Sequence, residues 1–136
     1  MENHQDETAD LNRPATHLFG HGRLSYMQIP AIDVRESARF YEKVFGWEVR
    51  GDSIDHLGFN DATGDMIGAW VTDRAISREP GVLPYIYVHG IDAILEQITA
   101  SAGEVVKPPY PEGNLWVATF RDPAGNVIGV WQQGPR

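Results

Sequence analysis

DATGDMIGAW at 61–70 returns near the end of the chain as DPAGNVIGVW at 122–131. Other landmarks repeat with it. Asp33 pairs with Asp92, Gly46 with Gly103, Asp61 with Asp122 and Gly64 with Gly125, at offsets of 59, 57, 61 and 61 residues. An insertion near KPPYPEGN accounts for the drift. A repeat on this scale constrains the whole fold, because each copy must be one supersecondary unit that buries its apolar face against its twin. A lone copy would bury too little surface to be stable by itself.

Within the first copy, LSYMQI has the period-2 pattern of a strand. Asp33 followed by Glu36 forms a capping-box signal, and Val34, Ala38, Tyr41, Val44 and Phe45 recur at helical spacing until Gly46 stops the helix. Three strands are expected next, over 47–50, 55–60 and 66–72, with DATG (61–64) as the turn between the last two. The second copy follows the same order. PYIYVHG is a strand. Asp92 begins a helix with Ile94, Leu95, Ile98 and Ala102 on one face, ended by Gly103. EVVK (104–107) and LWVATF (115–120) are strands, and DPAG turns the chain into NVIGVWQ.

The expected fold is therefore α+β: two tandem βαβββ modules, 24–74 and 83–133, joined by a linker at 75–82, with a cleft between curved mixed sheets. Residues 22–136 form one domain, and residues 1–21, acidic and aperiodic, are expected to be a mobile tail. The tail histidines His4, His17 and His21 are read as solvated residues.

Composition excludes several function classes. The chain has no cysteine, which rules out disulfides and thiolate chemistry and fits a cytoplasmic location. No apolar run reaches the length of a membrane span. MENHQDETAD is too polar for a secretory signal. A net charge of −8 argues against nucleic acid as a partner.

IDVRESARFYEKVFGWEV (32–49) and FRDPAGNVIGVW (120–131) resemble the first helix and the closing hairpin of the vicinal oxygen chelate superfamily. That family includes glyoxalase I, bleomycin-resistance proteins and extradiol dioxygenases, and the resemblance runs from Leu24 to Gln133. In metal-dependent members each module supplies a His or Gln from its first strand and a Glu from its last, ligands suited to a divalent ion. Here the resemblance places those ligands on Tyr26 and Gly68, and on Leu83 or Tyr85 and Gly129. None is a competent neutral ligand, so no metal and no cofactor are expected. The resemblance also implies a homodimer.

Two readings of the glycines stay open. Gly68 and Gly129 either widen an accessible pocket or allow aromatic side chains to pack closely. Alternation along the strands puts Leu24, Tyr26 and Gln28 on one face, and Leu83, Tyr85, Tyr87 and His89 on another. The closing strands add Met66, Gly68 and Trp70, then Val127, Gly129 and Trp131. The expected ligand-binding set is Tyr26, Gln28, Gly68, Trp70, Tyr85, Tyr87, Gly129 and Trp131. Such a surface suits a small aromatic or hydrophobic molecule. The function that follows is metal-free binding in the inter-module cleft. The alternatives are a metal-independent isomerase, lyase or hydrolase acting on a small carbonyl compound, and a metal-dependent enzyme with displaced ligands. Tyr26, His56 and His89 are the candidate acids or bases. Asp61 and Asp122 are read as turn residues.

Overall fold

The computed structural model describes residues 16–136. The first module contains β1 (Tyr26–Pro30), α1 (Val34–Phe45), β2 (Glu48–Ser53), β3 (His56–Asn60) and β4 (Ile67–Val71). The second contains β5 (Tyr85–Tyr87), α2 (Ile91–Ala100), β6 (Glu104–Glu112), β7 (Leu115–Arg121) and β8 (Val127–Gln133). Each forms a four-stranded sheet, in the orders β1-β4-β3-β2 and β5-β8-β7-β6. The pairs β1/β4 and β5/β8 are parallel and the rest antiparallel, so both sheets are mixed. This is the α+β architecture that the repeat predicts.

Helix α1 starts where its cap does: an Asp33 carboxylate oxygen accepts from Glu36 N–H at 3.1 Å. It ends at Gly46, whose φ of 72° turns its N–H back onto Glu42 and Tyr41 carbonyls. Helix α2 departs from expectation. Its N-cap is Gly90, with no side-chain cap bond, and Asp92 sits inside the first turn. The Ile91 N–H is taken instead by Gln132 Oε1 on β8, at 2.7 Å. Helix α2 also stops at Ala100 rather than at Gly103, whose N–H closes onto the Ile98 carbonyl at 2.8 Å.

Strand β6 is longer than expected. It passes through the prolines of the insertion to Glu112, with register shifts between Val105 and Lys107 and between Lys107 and Tyr110. Proline is tolerated there because β6 is an edge strand whose outer side has no ladder to supply.

The expected tail lies mostly outside the described residues, His4 included. Its final part is ordered, contrary to expectation. Thr16–Phe19 form one turn of 3-10 helix, and Leu18 is 5% exposed. His17 Nε2–H donates to the Gly64 carbonyl at 3.0 Å, and Arg23 donates to the Asp65 carbonyl at 3.1 Å. His21 lies in an exposed turn.

One core joins the modules. Phe40 and Phe45 of α1 meet Phe120 of β7 at 6.0 and 5.7 Å between ring centres. Tyr41, Trp47, Phe59 and Trp70 continue the same stack, with successive spacings of 4.6, 4.6 and 5.0 Å.

A polar junction lies beside that core. Asp122 Oδ1 accepts from the N–H groups of Ala124, Gly125 and Asn126, as its turn role predicts. Oδ2 accepts from the Tyr41 hydroxyl at 2.8 Å and from Asn126 Nδ2 at 2.9 Å. Asn126 Nδ2 also reaches the Pro30 carbonyl at 2.7 Å, and its Oδ1 accepts Ser77 N–H at 2.8 Å. One carboxylate and one amide therefore tie together α1, the end of β1, the linker and the last hairpin. Burial pushes the Asp122 carboxyl above its ordinary range, against the opposing pull of bonds from Asn126 and Tyr41. Burial, then the Asp122 charge, raises the Tyr41 hydroxyl.

Candidate functional site

Alternation divides each sheet into a side that faces the helices and a side that does not. On the second sheet the open side is built in cross-strand rows. One row runs Tyr85, Gly129, Thr119, Lys107 across β5, β8, β7 and β6; the next runs Tyr87, Trp131, Val117, Tyr110. Ile86, Val130, Ala118 and Phe120 lie on the opposite side, against the helices.

The open side is aromatic. Tyr87 stands edge-on to Trp131 at 4.7 Å and to His89 at 5.6 Å. Tyr85 covers Gly129: a Cβ added there would meet two carbons of the Tyr85 ring at 2.5 Å. Of the two readings of this glycine, close packing is the one observed. Tyr85 and Tyr87 are each 43% exposed, so their outer surfaces remain available. The Lys107 ammonium sits 4.2 Å above the centre of the Tyr110 ring. Burial, followed by Tyr110 and then Glu112, raises the Tyr85 hydroxyl.

On the first sheet the open side contains the rows Tyr26, Ile67, Asn60, Glu48 and Gln28, Ala69, Gly58, Arg50. Tyr26 and Gln28 are exposed there as expected. The outer strands of this sheet are polar. Asn60 Nδ2 donates to Glu48 Oε1 at 2.6 Å, and Arg50 donates to Asn60 Oδ1 at 3.3 Å.

Gly68 and Trp70 are not in this set, which corrects the sequence expectation. Trp70 is 2% exposed and packs on Phe59 and Tyr41 on the helix side. Gly68 faces the same way, and a Cβ there would overlap the Met27 carbonyl oxygen and the Phe59 ring. The cause is one residue in a turn. The first hairpin closes with Asp61 N–H on the Met66 carbonyl, the second with Asp122 N–H on the Asn126 carbonyl, each at 2.9 Å. The first turn thus holds one residue more. A shift of one residue sends every following side chain to the other face. The structural counterpart of Gly129 is therefore Ala69, opposite Gln28 as Gly129 is opposite Tyr85.

The candidate acids and bases do not converge. Tyr26 is on β1, His56 is exposed at the start of β3 opposite Ser53, and His89 follows β5 beside Tyr87. Of the three, only His89 touches the aromatic set. Ala69 and Gly129 carry no carboxylate, and of the first-strand residues opposite them, Gln28 and Tyr85, only the Gln28 amide is a ligand type the family uses; one amide oxygen is too few for a divalent ion of the family type. Among the described residues no three His, Cys, Asp or Glu side chains cluster as a metal site. Also among them, no helix is long and apolar enough to cross a membrane.

Sequence reasoning missed Lys107 and Tyr110, because it ended β6 at Lys107. The alternation of Leu115, Val117 and Thr119 was legible, but their β6 partners depend on two register shifts. It also missed the bond from Tyr41 to Asp122, whose partners are 81 residues apart with no local signal.

The profile of the Glyoxalase/Bleomycin resistance protein/Dioxygenase superfamily matches residues 23–130. CFP32 of Mycobacterium tuberculosis, named provisionally as a glyoxylase, is 24% identical over 128 residues; the match covers 88% of this chain and 49% of that protein. The chain thus spans about half the length of that relative. A glyoxalase/bleomycin resistance protein/dioxygenase family enzyme from Burkholderia phytofirmans superposes with a TM-score of 0.69 at 20% identity, over 82% of this chain and 99% of that one. TnmS3, an antibiotic-binding protein from Streptomyces, superposes with a TM-score of 0.64 at 22% identity, over 83% and 97%. At these identities the two structures establish the likeness of fold.

Proposed function

The chain belongs to the Glyoxalase/Bleomycin resistance protein/Dioxygenase superfamily, and from that premise we propose that it binds a small aromatic or hydrophobic organic molecule without a metal ion. The ligand lies in the cleft bounded by the open sheet faces, in a cytoplasmic homodimer. The observation that carries this reading is the row of exposed Tyr85 and Tyr87 and half-buried Trp131 around Gly129, where the family's metal-binding strand would present a carboxylate. Stacking supplies the affinity, and the hydroxyls of Tyr26, Tyr85 and Tyr87 with the Gln28 amide supply orientation. The antibiotic-binding character named for TnmS3 supports the same direction.

The test is a titration of the purified protein with flat aromatic compounds, read by tryptophan fluorescence, with the compound recovered and analysed afterwards. Saturable quenching with the compound intact is the expected result. Trp131→Leu is expected to weaken binding about tenfold, the loss of one aromatic contact. Accumulating product would transfer the protein to the enzymes, with His89 the first residue to replace, because it alone of the candidate bases touches the aromatic set. Elemental analysis gives a second check: a stoichiometric metal that survives chelation would sink the metal-free reading.

A further inference from the structure

Resting on that reading of the second sheet's open face, we propose that Tyr85 and Tyr110 form a gate across it, and that a ligand enters by displacing the Tyr85 ring from Gly129. The two tyrosines come from opposite edges of the sheet, Tyr85 from β5 and Tyr110 from β6. They reach toward each other over β8 and β7. The Tyr85 ring lies on Gly129, and its hydroxyl is hydrogen-bonded to the Tyr110 side chain. The Lys107 ammonium, 4.2 Å from the centre of the Tyr110 ring, steadies that ring from the edge.

What lies beneath the pair identifies it as a cover. Val117 is 6% exposed, Thr119 is 8% exposed and Gly129 is buried, although all three face away from the helices. The first sheet supplies the comparison. Its corresponding row, Gln28, Ala69, Gly58, Arg50, has no aromatic side chain at either edge. There Ala69 and Gly58 remain partly open to solvent. The burial on the second sheet therefore comes from the tyrosines and not from the sheet itself. Tyr85 keeps 43% of its surface exposed, so its ring has room to swing outward. A flat aromatic ligand would present to Gly129 the same surface that the Tyr85 ring presents, so the two compete for one seat. Once released, the Tyr85 hydroxyl is free to orient the ligand. A gate that is mostly shut lowers the apparent affinity by the fraction of molecules in which it stands open.

The experiment measures the binding of 2-naphthol by calorimetry. The wild-type protein is expected to bind it, and Tyr110→Phe to bind it about fivefold more tightly, the weight of one hydrogen bond removed from the shut state. In a Tyr85→Phe background the further change Tyr110→Phe is expected to make no difference, because no bond between the two hydroxyls is left to break. Equal or weaker binding by Tyr110→Phe would overturn the gate while leaving the stacking site in place. A gain that persists undiminished in the Tyr85→Phe background would overturn it too, because the Tyr110 hydroxyl would then act without Tyr85. Failure of the wild type and of every variant to bind would overturn the reading of this face as the ligand site, and the inference with it.

Discussion

Gly68→Ala is expected to destabilise the protein severely, by about 3 kcal/mol or more, whereas Gly129→Ala is expected to cost about 1 kcal/mol. The two glycines look equivalent in the sequence, since both stand in an Ile-Gly pair four residues after a turn glycine. Their surroundings differ. A Cβ on Gly68 would overlap the Met27 carbonyl oxygen and the Phe59 ring. The carbonyl belongs to the β1/β4 ladder, and Phe59 is fully buried between Trp47 and Trp70. Neither neighbour can yield without disturbing the core. The three atoms nearest a Cβ on Gly129 all belong to the Tyr85 ring, which is partly exposed and can rotate outward. Denaturant unfolding of the two variants measures the difference. Equal losses would mean that both glycines sit in the same kind of environment, and the one-residue offset between the hairpins would be wrong.

Asp122→Ala should be comparably damaging, by about 3 kcal/mol or more, lowering the thermal midpoint by about 10 °C or more. Asp122 is 3% exposed and accepts five hydrogen bonds. Truncation leaves the buried Tyr41 hydroxyl and the turn N–H groups of Ala124 and Asn126 without their acceptor. Leaving a buried donor unpaired costs more than the bond contributed when made. Tyr41→Phe removes one of these bonds and keeps the ring packing, so its expected cost is smaller, about 1–2 kcal/mol. The double variant should then be no less stable than Asp122→Ala alone, since the hydroxyl it removes has already lost its partner. Additive losses in that cycle would show that the two side chains act independently.

The residues that were easiest to read are those whose roles are local. Asp33 with Glu36, the apolar spacing of α1 and Gly46 define a helix within a dozen positions, and the structure has that helix. Asp92 illustrates the limit of the same logic. It resembles a cap in sequence, but the free N–H at the start of α2 is satisfied by Gln132, 41 residues away. The candidate site divides the same way. Tyr85, Tyr87, Gly129 and Trp131 share one face of the second sheet, which strand alternation, a local rule, makes legible. Trp70 and Gly68 were grouped with them by sequence identity between the repeats, and the extra residue in the Asp61–Met66 turn sent them to the other face. Lys107 and Tyr110 were missed because edge-strand register shifts separate them by three positions while their partners on β7 are two apart.

By itself the sequence determined the repeat, and with it two βαβββ modules and the class of each element. Only the tertiary structure decided which side of each closing strand faces the helices, and that Tyr41 and Asp122 hold the modules together. Periodicity within an element is written in consecutive residues. Register and cross-module pairing depend on turn length and on contacts between residues far apart in the chain, and the pattern of either repeat taken alone does not contain them.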